Sequence, residues 1–342
     1  MTVRVEAPGL LSSLQDLGRT GFQHLGVGPS GAMDPVSHRL ANLLVGNAPD
    51  AASLEITLAG PTLLFETEAL VALCGADLSA AVDGRPLPLW RPLWLRAGVR
   101  LSFGAPLTGA RAYLAVAGGF PAEPLLGSRS TNLAAGFGGF LGRALRKGDR
   151  LALAAQPRDR YPGPLRVLRR SLSPFAALAW FAPWFQELSF SRPAILRFLP
   201  GPQWPELTPA ARASFLEAVF RIGPSSDRMG LRLQGPVLAL GRPREAISAP
   251  VATGTLQLPA DGAPILLMAD RQTTGGYPRL GEMASADLPA AAQLRAGESL
   301  RFLLETPEAA RERLLARERR LQGLEAVLKS RMQRLEWGII SG

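Results

Sequence analysis

The chain repeats itself at long range. LRAGVRLSF at 95–103 returns as LRAGESLRF at 294–302, and DGRPL at 83–87 returns as DGAPI at 261–265. GVGPSGAM at 26–33 returns in weaker form as RIGPSSDRM at 221–229. The pairs keep their chain order at offsets of about two hundred residues, which reads as an imperfect duplication with one structural unit per half. The spacing drifts, so insertions separate the copies. At 342 residues there is room for two domains, each with its own core.

The repeated unit is strand-rich. LEITLAGPTLLF (54–65), ALVALCGADLSAAV (69–82) and APILLMAD (263–270) are short apolar runs broken by Gly or Gly-Pro. Each LRAG copy places a Gly turn before an alternating strand. With 36 Gly and 30 Pro, strands joined by turns are favoured over a helical bundle, which suggests barrels or sandwiches. Two helices are expected. Asp34 caps one over about 34–46, with Pro35 first and Gly46 ending it. Thr306 and Pro307 open another over about 308–335, where Leu314, Leu321, Leu328 and Leu335 recur every seven residues. Arg317 and Arg331 on that seam weaken a free coiled coil and favour docking, on the protein itself or else on a partner subunit. The divisions expected are 1–155, a Pro-rich inter-domain region over 156–205, 206–305, and a C-terminal helix over 306–342. In the inter-domain region Phe175, Trp180, Phe181, Trp184 and Phe185 suit packing, since Pro174 and Pro183 break any membrane-surface helix.

Several functions are disfavoured. The net charge of +10 is carried by arginine, with only Lys147 and Lys329 as lysines, and no basic–aromatic interleaving marks a nucleic-acid partner. Cys74 is alone and His24 and His38 are the only histidines, so neither a disulfide framework nor a zinc site is expected. The opening MTVRVEAPGL does not read as a signal peptide, and no apolar run is long enough to span a bilayer. A cytoplasmic protein without membrane contact is expected. The phosphate-loop, GxSxG and HExxH signatures are absent.

Four stretches carry polar residues among glycines. The densest is 259–282, where an apolar strand delivers Asp270, Arg271, Gln272, Thr273 and Thr274 into a loop followed by Gly275, Gly276 and Tyr277. It suits a small polar amide or carboxylate, or equally a hairpin whose side chains satisfy turn backbone. The second, 222–236, offers Ser225, Ser226 and Asp227 as caps and Arg228 and Arg232 as anion holders. Arg129, Thr131 and Asn132 lead into a Gly-rich run in 127–143, and Gln15, Asp16, Arg19, Ser30 and Asp34 stand in 14–34.

These stretches resemble the biotin-dependent carboxyltransferase family, also called allophanate hydrolase subunit 2, which includes the 5-oxoprolinase C subunit and KipA. The resemblance is carried by QDLGRTGFQHLGVGPSGAMD, LGSRSTNLAAGFGG, IGPSSDRMGLRLQGP and PADGAPILLMADRQTTGGYPRLGE, and runs from about residue 3 to 304. It implies a mainly β chain of two cyclophilin-like barrels and a C-type subunit of an ATP-dependent 5-oxoprolinase, which opens 5-oxo-L-proline to L-glutamate. It also implies B-type (allophanate hydrolase subunit 1 family) and A-type partner subunits. This chain alone would bind no cofactor, with ATP wholly or partly on the partners. Biotin would enter only if a urea-type carboxyltransferase reading held, and a KipA-like regulatory role is the other alternative. Asp270, Asp227 and Tyr277 are the expected catalytic residues. Arg228, Gln257, Arg271, Gln272, Thr273, Thr274, Gly275 and Gly276 are expected to bind substrate, with no metal. The sequence departs from the family in Ser-Ala-Pro at 248–250, where an acidic residue and Gly usually follow Ser, and in Asn132, where Asp is common.

Overall fold

The computed structural model describes residues 2–154, 168, 171–186, 193–242, 247–333 and 339–341. The chain forms two compact units, Met1–Gly18 with Asp34–Leu188 and Arg320–Gly342, and Arg19–Met33 with Ser189–Arg319. Leu335 and the segment 155–167 lie outside the described residues, as do 187–192.

The first unit packs two sheets over one core. One sheet runs in the order Arg150–Ala152, Thr2–Ala7, Thr62–Phe65, Arg100–Ser102, Ala81–Val82, Arg85–Pro86. The other runs Leu11–Gln15, Ser53–Thr57, Thr108–Val116, Ala69–Asp77, Leu93–Leu95, Phe175–Leu178, Ile339–Ser341. Val3, Val5, Leu63, Phe65 and Leu101 from the first sheet meet Leu54, Ile56, Leu73, Leu95 and Leu114 from the second. Of the inter-domain aromatics, Phe175 and Trp184 are buried in this unit, and Arg91 lies 5.3 Å from the ring centre of Phe181.

The second unit is a closed barrel whose strands follow the order Ala194–Pro200, Arg279–Met283, Thr255–Gln257, Ile265–Leu267, Gly230–Gln234, Phe220–Ile222, Ser299–Leu304. Closure leaves no free sheet edge. Phe198, Phe215, Phe220, Phe302 and Trp204 fill its interior, and Phe215 stacks on Phe302 at 4.9 Å between ring centres.

Two sequence echoes form matching turns. Gly98 and Gly297 both adopt left-handed backbone, φ +85° and +84°, where a side chain would be strained. Their N–H groups donate to the Phe65 carbonyl at 2.7 Å and the Ile222 carbonyl at 2.8 Å. Gly84 and Gly262 likewise share positive φ, +81° and +75°.

Helix α1, Pro35–Leu44, begins as its sequence requires: the Asp34 carboxylate accepts from the N–H groups of Val36 and Ser37. Two short helices, α2 (Pro209–Glu217) and α3 (Leu288–Ala292), add to the two that the sequence predicts. Thr208 and Pro209 give α2 a proper start, but Ala211 and Phe215 are its only buried residues, too few for a readable apolar period. Helix α4, Pro307–Gln333, opens at the expected Thr306 cap. Leu321 and Leu328 of the heptad series are buried. In the second unit Arg313 ties the first turns of α4 to the barrel through Glu305 at 3.0 Å and through Asp287. Among the described residues no helix is long and apolar enough to cross a membrane.

Candidate functional site

The outer face of the barrel carries the polar residues. Leu231, Leu233, Leu256 and Leu266 point into the core, so their strand neighbours point outward. The register sets Arg232 opposite Ile265, and Ile265 opposite Gln257. A guanidinium, an apolar side chain and an amide therefore form one row across three strands. With strands ~4.8 Å apart, Arg232 and Gln257 stand about 10 Å apart at their backbones. A cleft of about 180 Å³ lies over this row, lined by Ser225, Asp227 and Met229, the row itself, and Gln272 and Tyr277 from the loop above. Clefts for drug-sized ligands run to roughly 300–1,000 Å³, so this one suits a smaller molecule. Gly230 keeps its floor open, since a Cβ there would come within 2.9 Å of the Ile265 side chain.

Backbone bonds hold the loop above the face. Thr274–Gly275 pairs with Ala249–Pro250, and the Val251 N–H donates to the Thr273 carbonyl at 3.1 Å. Arg271 donates to the Val251 carbonyl at 3.2 Å and to Thr253 Oγ1 at 3.0 Å. Any side chain at Gly275 would strike Gln257 Nε2, so glycine lets the loop close over that amide. Gln257 is 1% exposed and its Nε2 has no hydrogen-bond partner among the described residues, while its Oε1 accepts from Gln272 Nε2 at 3.4 Å. A buried amide donor left unsatisfied costs free energy that a bound acceptor recovers. Tyr277, 48% exposed, stands on the cleft wall.

The predicted site residues divide. Asp227, Gln257, Gln272 and Tyr277 line the cleft. Asp227 is exposed and fixed, its Oδ1 accepting from the N–H groups of Met229 and Gly230 at 2.8 and 3.2 Å. Arg228 and Asp270 pair with each other instead, through contacts of 2.8 and 3.0 Å, and Arg228 also donates to the Gly31 carbonyl at 2.7 Å. Arg271 is committed to the 251–253 segment, and Thr273, Thr274, Gly275 and Gly276 build the loop. Arg232, one of the two anion holders expected in 222–236, sits at the outward position of GLRLQ, and Glu282 stands outside the expected set. Glu282 accepts from Thr255 Oγ1 at 2.8 Å, and burial holds its carboxyl above the usual range although Thr255, Arg279 and Arg271 pull it down.

The polar stretches of the first unit serve its own backbone. Asp16 accepts from Ser128 Oγ at 2.7 Å, Ser130 Oγ, the Arg129 N–H and the Gly18 N–H. Burial pushes its carboxyl up, but these four donors outweigh it and leave it below its ordinary value. Asn132 caps a turn at the Ala135 N–H, as Asp would. Among the described residues no group of three or more His, Cys, Asp or Glu is arranged to hold a metal.

Residues 25–304 match the family described as carboxyltransferase domain, subdomain A and B. The chain is 38% identical over 301 residues to the C subunit of 5-oxoprolinase from Escherichia coli (strain K12), covering 88% of this chain and 90% of that protein. It is 34% identical over 291 residues to the C subunit of 5-oxoprolinase from Haemophilus influenzae, covering 85% and 87%. The crystal structure of the K. lactis urea amidolyase superimposes with a TM-score of 0.79 at 30% identity over 98% of this chain, which spans 20% of that larger one.

Proposed function

The chain belongs to the carboxyltransferase domain family, and we propose that it serves there as the C-type subunit of a 5-oxoprolinase. In this reading it acts with B-type and A-type partners, in the cytoplasm, to open 5-oxo-L-proline to L-glutamate at the expense of ATP. The observation that carries the reading is 38% identity to the C subunit of a 5-oxoprolinase along nearly the full length of both chains. The cleft supports it. Gln257 Nε2 supplies a buried donor for a lactam carbonyl, Asp227 an acceptor for a ring N–H, and Ile265 and Leu267 an apolar floor for the ring.

Ring opening breaks the amide C–N bond, adds the oxygen of water to the carbonyl carbon, and leaves the nitrogen as an amine. A hydrogen bond to the carbonyl oxygen strengthens as negative charge gathers there. ATP supplies activation of that oxygen. The cleft does not suit a nucleotide: it is small, its floor is apolar, and no helix N-terminus is among its lining residues. We propose that ATP binds wholly or partly on the partner subunits, a reading the small, apolar-floored cleft supports, and no step here passes through it. A urea-type carboxyltransferase is the second reading, favoured by the urea amidolyase likeness, and it would bring biotin on a separate carrier.

Co-purification with the products of neighbouring genes, followed by an ATP-cleavage assay with 5-oxo-L-proline, urea and other lactams, tests the proposal. Cleavage stimulated by 5-oxo-L-proline is expected. Stimulation by urea alone, dependent on a biotin carrier, would replace it with the second reading.

A further inference from the structure

We infer that Arg232 makes the cleft selective for an acid, its guanidinium holding the carboxylate of a small cyclic amide. This rests on the lactam reading above. Four arginines of the second unit, Arg228, Arg232, Arg271 and Arg279, stand in or beside the polar loop and the 222–236 turn, and Arg279, opposite Gln257 in the register, donates to the Pro250 carbonyl at 3.2 Å. Arg228 pairs with Asp270 and donates to the Gly31 carbonyl, and it is buried. Arg271 is buried and donates to Val251 and Thr253. Neither of these lines the cleft, nor does Arg279. Arg232 differs: its side chain is exposed, lines the cleft, and has no side-chain partner among the described residues.

The backbone beneath Arg232 is nevertheless fixed. Its N–H donates to Ser226 Oγ at 3.0 Å and its carbonyl accepts from Gly223 at 2.7 Å. The cation is thus offered from a rigid base, which reduces the ordering cost of binding. Asp227, the acidic residue lining the same cleft, has one carboxylate oxygen tied to the turn backbone.

The row across the sheet defines what fits. A cation stands at one end, the apolar Ile265 in the middle, and an unpaired amide donor at the other. A matching ligand carries a carboxylate, an apolar ring body and a carbonyl, in that order. A neutral amide such as urea, or a lactam without a carboxyl group, leaves the guanidinium without a counter-charge and forgoes a charge-assisted hydrogen bond.

The test uses the reconstituted complex with its partner subunits, 5-oxo-L-proline as substrate, and 2-pyrrolidone as its carboxyl-free analogue, tried as substrate and as inhibitor. Arg232→Gln is expected to raise KM for 5-oxo-L-proline by about 10- to 100-fold, the loss of one hydrogen bond to a charged group. Its kcat should change little and its response to 2-pyrrolidone should be unaltered, with Arg232→Lys restoring part of the affinity. Because the side chain is exposed, the variant should keep the melting temperature of the parent. An unchanged KM for 5-oxo-L-proline, or equal losses toward both ligands, overturns the role of Arg232 while leaving the lactam reading intact. A parent complex indifferent to 5-oxo-L-proline overturns the lactam reading itself, and the Arg232 role with it.

Discussion

Arg228 and Asp270, 42 residues apart in sequence, hold each other through two hydrogen bonds of 2.8 and 3.0 Å on side chains only 4% and 5% exposed. The Asp270 N–H also donates to the Arg228 carbonyl at 2.8 Å. The pair fastens the 222–229 turn to the start of the polar loop. A buried charge whose partner is removed is strongly destabilising, whereas replacing both by apolar residues need not be. Asp270→Asn and Arg228→Met are each expected to lower stability by roughly 3–5 kcal/mol, and the double variant Arg228→Met/Asp270→Leu by clearly less than their sum. Denaturant titration of the three variants checks this, and additive losses would speak against a coupled pair.

Gln257 predicts a trade between stability and function. Its buried Nε2 lacks a hydrogen-bond partner among the described residues, so Gln257→Leu removes an unsatisfied donor from the folded state. The variant should be at least as stable as the parent, by up to about 1–3 kcal/mol, because that desolvation cost disappears. It should at the same time lose most 5-oxo-L-proline-dependent turnover. A melting scan beside the ATP-cleavage assay gives both readouts, and a destabilised but fully active protein would be the wrong result.

Asp16 is a structural anchor of the first unit. Its folded carboxyl lies below its ordinary value of 3.8, so the stability it confers is complete above that pH and is lost as pH falls through the folded value. Asp16→Asn should cost about 1–3 kcal/mol at neutral pH, since an amide cannot accept from all four donors. The gap between parent and variant should close below the ordinary value. Unfolding midpoints followed down the pH scale measure it.

His38 sets a second pH dependence. Burial is the largest influence on it and lowers its value from 6.5 to about 4, against the pull of Asp16, Glu55 and Asp50. The unfolded chain therefore binds a proton below pH 6.5 that the folded chain refuses. Stability should fall by roughly 3 kcal/mol as pH drops from 6.5 toward 4, the free energy matching that difference in value. His38→Asn should lack this component. Its ring also meets Ser53 Oγ at 2.7 Å, so the variant is compared with the parent by slope and not by absolute stability.

Much of the fold was readable because local signals agreed with it. Asp34–Pro35 and Thr306–Pro307 open helices as such pairs do. The repeated LRAG segments form equivalent left-handed turns at Gly98 and Gly297. The alternation of GLRLQ marks Leu231 and Leu233 as interior. The site was less readable for a physical reason. Asp, Arg and Thr in a glycine-flanked loop look alike whether they meet a ligand or their own backbone. Only the fold brings Asp270 to Arg228, Arg271 to Thr253, and Gln257 beneath Gly275. Arg232 could be read as outward-facing, but that it keeps its guanidinium unpaired among the described residues depends on residues from two other strands and a loop. The clustering of Arg19–Met33 with the second unit is likewise a long-range fact that no local pattern encodes.

A crystal structure of the assembled complex with 5-oxo-L-proline addresses the cleft most directly. The ligand is expected on the outer face of the second barrel, lying across Ile265 with its carboxylate at Arg232 and its lactam carbonyl at Gln257 Nε2. A ligand bound with full occupancy elsewhere, with this face empty or covered by another subunit's side chains, would contradict the account.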